Sequence, residues 1–115
     1  MKKIKVTFLG EELNIVFNMG VQIGYEDIIG KPFDILTVGQ TAASRAALYQ
    51  AAIITGNPDK KFDFDKILEH ATFRDLDPVD KAVAECMTEF FGIPVLAEQH
   101  VPEPTEEEKE DPKNV

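Results

Sequence analysis

Acidic side chains concentrate between residues 59 and 69, and their spacing invites comparison with a calcium-binding loop. The four acids are Asp59, Asp63, Asp65 and Glu69. Such a loop needs oxygen ligands at alternate positions, glycine at the sixth position and a bidentate acid at the twelfth. Counted from Asp59, the third, sixth and twelfth positions hold Lys61, Phe64 and His70. The pattern therefore fails, and it indicates a helix cap with exposed acids near the positive end of a helix dipole.

A second acidic group consists of Asp75, Asp77 and Asp80. Paired carboxylates can perform acid–base catalysis when their environments separate their pKa values. These three surround a predicted helix start, where capping and first-turn acids stabilise the helix without any catalytic role. The sequence therefore predicts no catalytic residue in this group.

The residues that bind soft metals are few: His70, His100 and Cys86. A structural zinc site needs four nitrogen or sulfur ligands at defined spacing, and a catalytic one needs three. Cys86 lies in an apolar helical pattern with no adjacent activating group, which favours a small core residue over a nucleophile. We therefore expect no metal site and no bound cofactor.

Two short alternating segments open the chain and predict a β-hairpin. Apolar residues occupy every second position in both segments: Ile4, Val6 and Phe8, then Leu13, Ile15 and Phe17. Such alternation is typical of half-buried strands. We place the connecting turn at Gly10-Glu11-Glu12.

Four helices are predicted after the hairpin. The first begins at a cap on Asn18 and ends at Gly30, and its Gly20 and Gly24 are expected to let it lie close to the hairpin. The second runs from Thr37 or Thr41 to Thr55, and its alanine-rich, nearly all-apolar surface predicts a buried central helix. The third begins at Asp63, with one apolar face formed by Phe64, Ile67, Leu68 and Ala71. Asp77-Pro78 predicts the start of the fourth, which Gly92 ends.

These elements predict an α+β fold, with an N-terminal β-hairpin, a small bundle of about four α-helices and a disordered acidic C-terminal tail. The globular domain is assigned to residues 1–94 and the tail to residues 95–115. The tail holds seven acidic and two basic residues, a net charge of −5 out of −9 for the whole chain. Because it has little apolar surface to bury, it cannot offset the entropy cost of ordering.

The charge balance excludes several functions. Nucleic-acid binding requires lysines or arginines against several phosphates, and no basic stripe supplies them. The same argument disfavours anionic membrane surfaces. No apolar segment resembles a signal peptide or a membrane span, so we expect a cytosolic protein.

A few aromatic residues are candidates for binding a partner protein. Phe90 and Phe91 are adjacent on a helix, so both cannot point into the core, and Phe33 follows a proline in a loop. Tyr49 interrupts the apolar surface of the second helix and completes the set. An exposed aromatic on a small acidic domain is a suitable interface anchor. Core packing is expected for the remaining phenylalanines: Phe62, Phe64 and Phe73.

The N-terminal third resembles the small tail assembly chaperones of long-tailed bacteriophages. The residues that carry the resemblance are Phe17-Asn18 at the hairpin end, Tyr25-Glu26 in the first helix and Gly30-Lys31 at its exit. The resemblance implies a non-enzymatic protein that binds the tape measure protein and recruits tail tube subunits without entering the virion.

Two other classes of function remain open at this stage. One is a different acidic interaction module, either an adaptor or a decoy that mimics nucleic acid. The other is a small enzyme whose composite site forms only at an oligomer interface. Gene neighbourhood would separate the chaperone from the adaptor, and a thermal-shift screen of metals and ligands would reveal the enzyme.

Overall fold

The computed structural model describes residues 1–92 and contains one hairpin and four helices. Strand β1 covers Lys3–Phe8 and strand β2 covers Glu11–Val16. The helices are α1 (Met19–Ile29), α2 (Ala42–Gly56), α3 (Phe64–His70) and α4 (Phe73–Phe91). The predicted α+β class, a hairpin followed by four helices, is confirmed. The predicted acidic tail, residues 95–115, lies outside the described residues.

The hairpin is antiparallel, and its register places the predicted apolar residues on one face. Ile4 pairs with Ile15, and Val6 pairs with Leu13. The connecting turn contains only Leu9 and Gly10, both with positive φ, at 51° and 80°. The predicted turn at Gly10-Glu11-Glu12 is therefore wrong by one to two residues. Two consecutive residues with positive φ form a type I′ turn, whose twist matches that of the strands, so pairing resumes at Glu11.

The core lies between the hairpin and the two long helices. Helix α2 packs on β2, α4 packs on both strands, and α1 packs on α2. As predicted, α2 is the buried helix, with Leu48, Ala52 and Ile53 all fully enclosed. Cys86 on α4 is also a core residue, as predicted, and is 2% exposed.

Helix α1 lies against α2 through small side chains. A methyl group added to Gly24 would contact the Ala51 Cβ at 3.4 Å, and one added to Gly20 would reach Thr55. The glycines therefore face α2, and the prediction that they face the hairpin is wrong. Residues four apart share a helix face. Gly20 therefore lies against Thr55 and Gly24 against Ala51, which means that α1 and α2 run antiparallel and approach closely.

The helix starts follow from side-chain caps, as predicted at Asn18 for α1 and at Asp63 for α3. Asn18, Thr41 and Asp63 accept hydrogen bonds from backbone N–H groups of α1, α2 and α3. Helix α2 begins after Thr41, the second of the two predicted starts. Leu68 of α3 is 47% exposed, so it does not join the predicted apolar face.

Helix α4 begins five residues before the predicted start, at Phe73 instead of Pro78. Thr72 and Asp75 form a capping box in which each side chain binds the other's backbone N–H, and Pro78 lies inside the helix. The Asp77-Pro78 signal was therefore misread. Because the capping box satisfies N–H groups at the beginning of the helix, it determines the start. Pro78 is then the sixth helical residue, where it removes one backbone hydrogen bond from the second turn. Among residues 1–92, no helix is both long and apolar enough to cross a membrane.

Candidate functional site

Five aromatic rings gather at the end of the hairpin away from its turn, and we call them the aromatic cluster: Phe17, Tyr25, Phe33, Phe90 and Phe91. Phe17 is 1% exposed and lies at the centre. Its ring centroid is 5.8 Å from that of Phe33, 5.3 Å from that of Phe90 and 5.5 Å from that of Phe91. Tilted and edge-to-face pairs at such distances add stability beyond the area that they bury.

Four separate segments supply the cluster, one of which is α1 with Tyr25. Phe17 follows β2 directly, Phe90 and Phe91 form the last turn of α4, and Phe33 lies in the loop after α1. The loop is held by the backbone N–H of Phe33, which donates to Glu26 Oε2 at 2.8 Å. Phe33 then stacks on Phe91 at 6.0 Å with the ring planes 14° apart. Three of the four predicted partner-binding residues are thus brought together.

The exposure of the cluster is uneven. Phe90 is 41% exposed, whereas Phe33 and Phe91 are half-buried. This agrees with the expectation that two adjacent phenylalanines on a helix cannot both enter the core. Phe90 also packs edge-on against Phe17, at 65° between the ring planes. Its exposed ring is therefore held in place by a buried ring.

Two exposed methionines lie next to Asn18, the residue after Phe17: Met1 through a side-chain contact and Met19 in the sequence. Asn18 follows Phe17, and its side-chain amide donates to the Met1 sulfur at 3.4 Å. Met1 is 77% exposed and the neighbouring Met19 is 58% exposed. We call Met1, Met19 and Phe90 together the apolar end. Sequence reasoning missed the methionines, although α1 carries more apolar residues than one buried face can accommodate.

Acidic side chains border the apolar end. The Lys2 backbone N–H donates to Glu89 Oε1 at 2.7 Å, and the Lys2 ammonium lies 3.0 Å from Glu85 Oε2. The hydrogen bond that the Lys2 ammonium donates to Glu85 raises the pKa of Lys2. These contacts fix the N-terminal residues beside the last turns of α4. The surface is apolar at its centre and acidic along one border.

Tyr49 lies away from the cluster and is 7% exposed. Its hydroxyl donates to Asp80 Oδ1 at 2.6 Å, which links α2 to α4. Burial raises the pKa of Tyr49, and the hydrogen bond to Asp80 raises it further. Because most of the ring is covered in the core, Tyr49 does not share the surface of the other predicted partner-binding residues.

A shallow hollow of about 290 Å³ opens beside Tyr49. Its other lining residues are Arg45, Phe73, Leu76, Asp77 and Asp80. Phe73 was expected in the core, but it is 85% exposed, because α4 begins at this residue and points its first side chain outward. Phe62 and Phe64 pack partly against the core, as expected.

Three of the acidic residues considered for chemistry cap a helix or form an ion pair. Asp63 caps α3, Asp75 completes the capping box, and Asp77 pairs with Lys81 at 3.0 Å. Burial raises the pKa of the Cys86 thiol to about 11, which keeps it protonated and a poor nucleophile at neutral pH. Within residues 1–92, no group of three or more His, Cys, Asp or Glu side chains is arranged to hold a metal ion. His100 lies outside the described residues.

In comparisons with protein-family models, with curated proteins and with solved structures, none matches this chain. Function is therefore inferred from the surfaces described above and from the resemblance carried by the N-terminal third.

Proposed function

We propose that this protein is a non-enzymatic tail assembly chaperone of a phage or prophage. In this role it binds the tape measure protein and tail tube subunits in the host cytoplasm while the tail is built. The observation that carries the proposal is the apolar end, where large side chains remain exposed on a domain that has a complete core elsewhere. Exposed apolar surface of this kind typically marks a site of protein association.

The side chains of the apolar end suit a helical client. Phe90 offers an aromatic ring whose position is fixed by Phe17, and rigid aromatic anchors contribute strongly to binding. Met1 and Met19 are flexible and polarizable, so they can adapt to apolar stripes of varied shape. A tape measure protein is long and helical, and its apolar stripes would aggregate if left uncovered. Helix-in-groove packing would cover them.

The charge of the chain supports the same role. A net charge of −9 keeps a complex dispersed through repulsion between copies. The border formed by Glu85 and Glu89 would also favour client helices with lysine or arginine beside their apolar stripe. Binding of this type needs no cofactor.

The test is co-expression of the full chain with the tape measure protein encoded beside it. We expect a higher soluble yield of that protein and co-purification of the two. Phe90→Ala should weaken the complex roughly tenfold, as expected for loss of an aromatic anchor. Phe73→Ala is the matched control, because Phe73 lies at the opposite end of the same helix and is more exposed.

Other results would point to a different function. If the tape measure protein stays insoluble and does not co-purify, the chaperone proposal fails. Capture of a DNA-binding protein would favour the acidic decoy. Equal effects of Phe90→Ala and Phe73→Ala would show that the apolar end is not the binding surface.

A further inference from the structure

The hairpin turn contains a residue that the turn does not favour. Both central positions of a type I′ turn need positive φ, and Asn, Asp and Gly are preferred there. Here the first position is Leu9 at φ 51°, a conformation in which an L-residue with a bulky side chain is strained. Leu9 is also 48% exposed, so burial offsets only part of this strain.

Leu9 forms one wall of a hollow of about 350 Å³, which we call the turn hollow. Phe62 and Ile67 supply the rest of its apolar lining, and both pack partly on the core behind it. The Phe62 ring is braced by Phe64, with centroids 5.5 Å apart. The polar residues that complete the lining are Glu11, Lys61, Asp63, Lys66 and His70.

The acidic side chains around the turn hollow already have partners within the protein, whereas two of its lysines have no ion-pair partner among residues 1–92. Glu11 pairs with Lys60 at 3.0 Å, and Asp63 Oδ1 accepts the backbone N–H of Lys66 as the cap of α3. By contrast, the ammonium groups of Lys61 and Lys66 form no ion pair with any residue in 1–92. The hollow therefore presents two available cations around an apolar floor, on a chain whose net charge is −9.

We propose that the turn hollow is a docking site for an acidic segment of a partner protein, in which one apolar side chain is flanked by carboxylates. The apolar side chain lies against Leu9, Phe62 and Ile67, and the carboxylates pair with Lys61 and Lys66. Two lysines around an apolar floor do not match a phosphate backbone, which requires several cations in a row. The strained conformation of Leu9 is then retained for binding, since strain collects at functional positions.

The turn hollow and the aromatic cluster lie at opposite ends of the hairpin, because Leu9 precedes β2 and Phe17 follows it. The docking proposal is therefore independent of the chaperone proposal. Two separate surfaces would also allow the protein to hold two different chains at once.

The test is an NMR titration of the isotope-labelled full chain with a short synthetic helical peptide carrying one leucine between glutamates. We expect amide shifts centred on Leu9, Lys61 and Lys66. Replacing the leucine of the peptide by serine, or its glutamates by lysines, should abolish them. Combining Lys61→Glu with Lys66→Glu in the protein should reverse the preference in favour of the lysine peptide.

Leu9→Asn separates binding from folding, because asparagine accepts positive φ. It should weaken peptide binding roughly tenfold without lowering Tm. A lowered Tm with unchanged peptide affinity would show that Leu9 serves only the fold and would overturn the proposal. Equal binding of the glutamate and lysine peptides, or shifts confined to other surfaces, would overturn it as well.

Discussion

The side chain of Asn57 pairs with the backbone of Asn14 as a neighbouring strand would. Its Oδ1 accepts the Asn14 N–H at 2.9 Å, and its Nδ2 donates to the Asn14 carbonyl at 2.8 Å. The same Nδ2 donates to the Ile53 carbonyl at 2.8 Å, near the end of α2. Asn57 is 6% exposed. One amide therefore covers the free edge of β2 and connects it to the helix that packs on it.

Replacing Asn57 should destabilise the fold strongly. Asn57→Ala leaves an N–H and two carbonyls without partners in a mostly buried place, so we expect a loss of about 2–4 kcal/mol in the free energy of unfolding. This loss can be measured by urea denaturation, with unfolding monitored by circular dichroism. Asn14→Ala is the matched control, because Asn14 contributes only its backbone to the pair. Similar losses in both variants would contradict this account.

Gly56 is expected to tolerate no larger residue. A Cβ at this position would collide with the backbone carbonyl oxygen of Asn14, which cannot move without disturbing β2. Gly56→Ala should therefore cost about 1–3 kcal/mol, the usual range for overpacking. Gly24→Ala serves as the comparison, because its added methyl makes only ordinary contact with Ala51 and alanine favours the helix. Thermal unfolding should show a lower Tm for the first variant and an unchanged or higher Tm for the second.

The start of α4 can be located by mutation. Thr72→Ala removes the side chain that caps the Asp75 N–H and should cost about 1 kcal/mol. Asp77→Ala removes only an exposed pair with Lys81 and should cost less than about 0.5 kcal/mol. Chemical denaturation of the two variants gives the comparison. A larger loss for Asp77→Ala would favour a helix that begins at Asp77-Pro78.

Cys86 should make the stability fall at alkaline pH. Burial, with smaller contributions from the nearby charges of Glu85 and Glu89, raises its pKa from the usual 9.0 to about 11. The folded state therefore holds this proton more tightly than the unfolded chain does. The resulting stability is fully present below pH 9 and is lost as the pH rises through 11.

The measurement compares the unfolding free energy of the original chain and of Cys86→Ala across that range. Below pH 9 the variant should be less stable, because it loses a buried side chain. The difference should shrink by about 2 kcal/mol as the thiol titrates. Tyr49, whose pKa is also raised, changes the stability of both proteins equally at alkaline pH. Its contribution therefore cancels in the difference between their unfolding free energies. A constant difference at every pH would show that the thiol titrates alike in both states.

Local patterns were sufficient to predict much of the fold. The alternation of Ile4, Val6 and Phe8 identified the first strand, because side chains in a strand alternate between faces. Asn18 and Asp63 identified two helix starts, because a short polar side chain satisfies N–H groups within three residues of itself. The start of α4 was missed because two start signals lie five residues apart, and local spacing alone does not rank them.

The candidate surfaces depended on contacts between distant parts of the chain. Sequence reasoning nominated Phe33, Phe90 and Phe91 one by one, but only the packing of β2, the loop after α1 and the end of α4 places them around Phe17. It also nominated Tyr49, whose ring the fold covers and joins to Asp80. The residues next to Tyr49 in the sequence do not show whether its ring is buried or exposed.

The sequence by itself determined the elements of this protein, its fold class and its acidic character, because each of these depends on composition or on residues within one turn or one strand pair of each other. Only the tertiary structure decided which apolar side chains stay exposed. Exposure depends on whether another element covers a side chain: on α1, Tyr25 is buried and bonds to Ser44 of α2, whereas Met19 remains exposed. The glycines of α1 and the amide of Asn57 acquired their roles in the same way, through partners far along the chain.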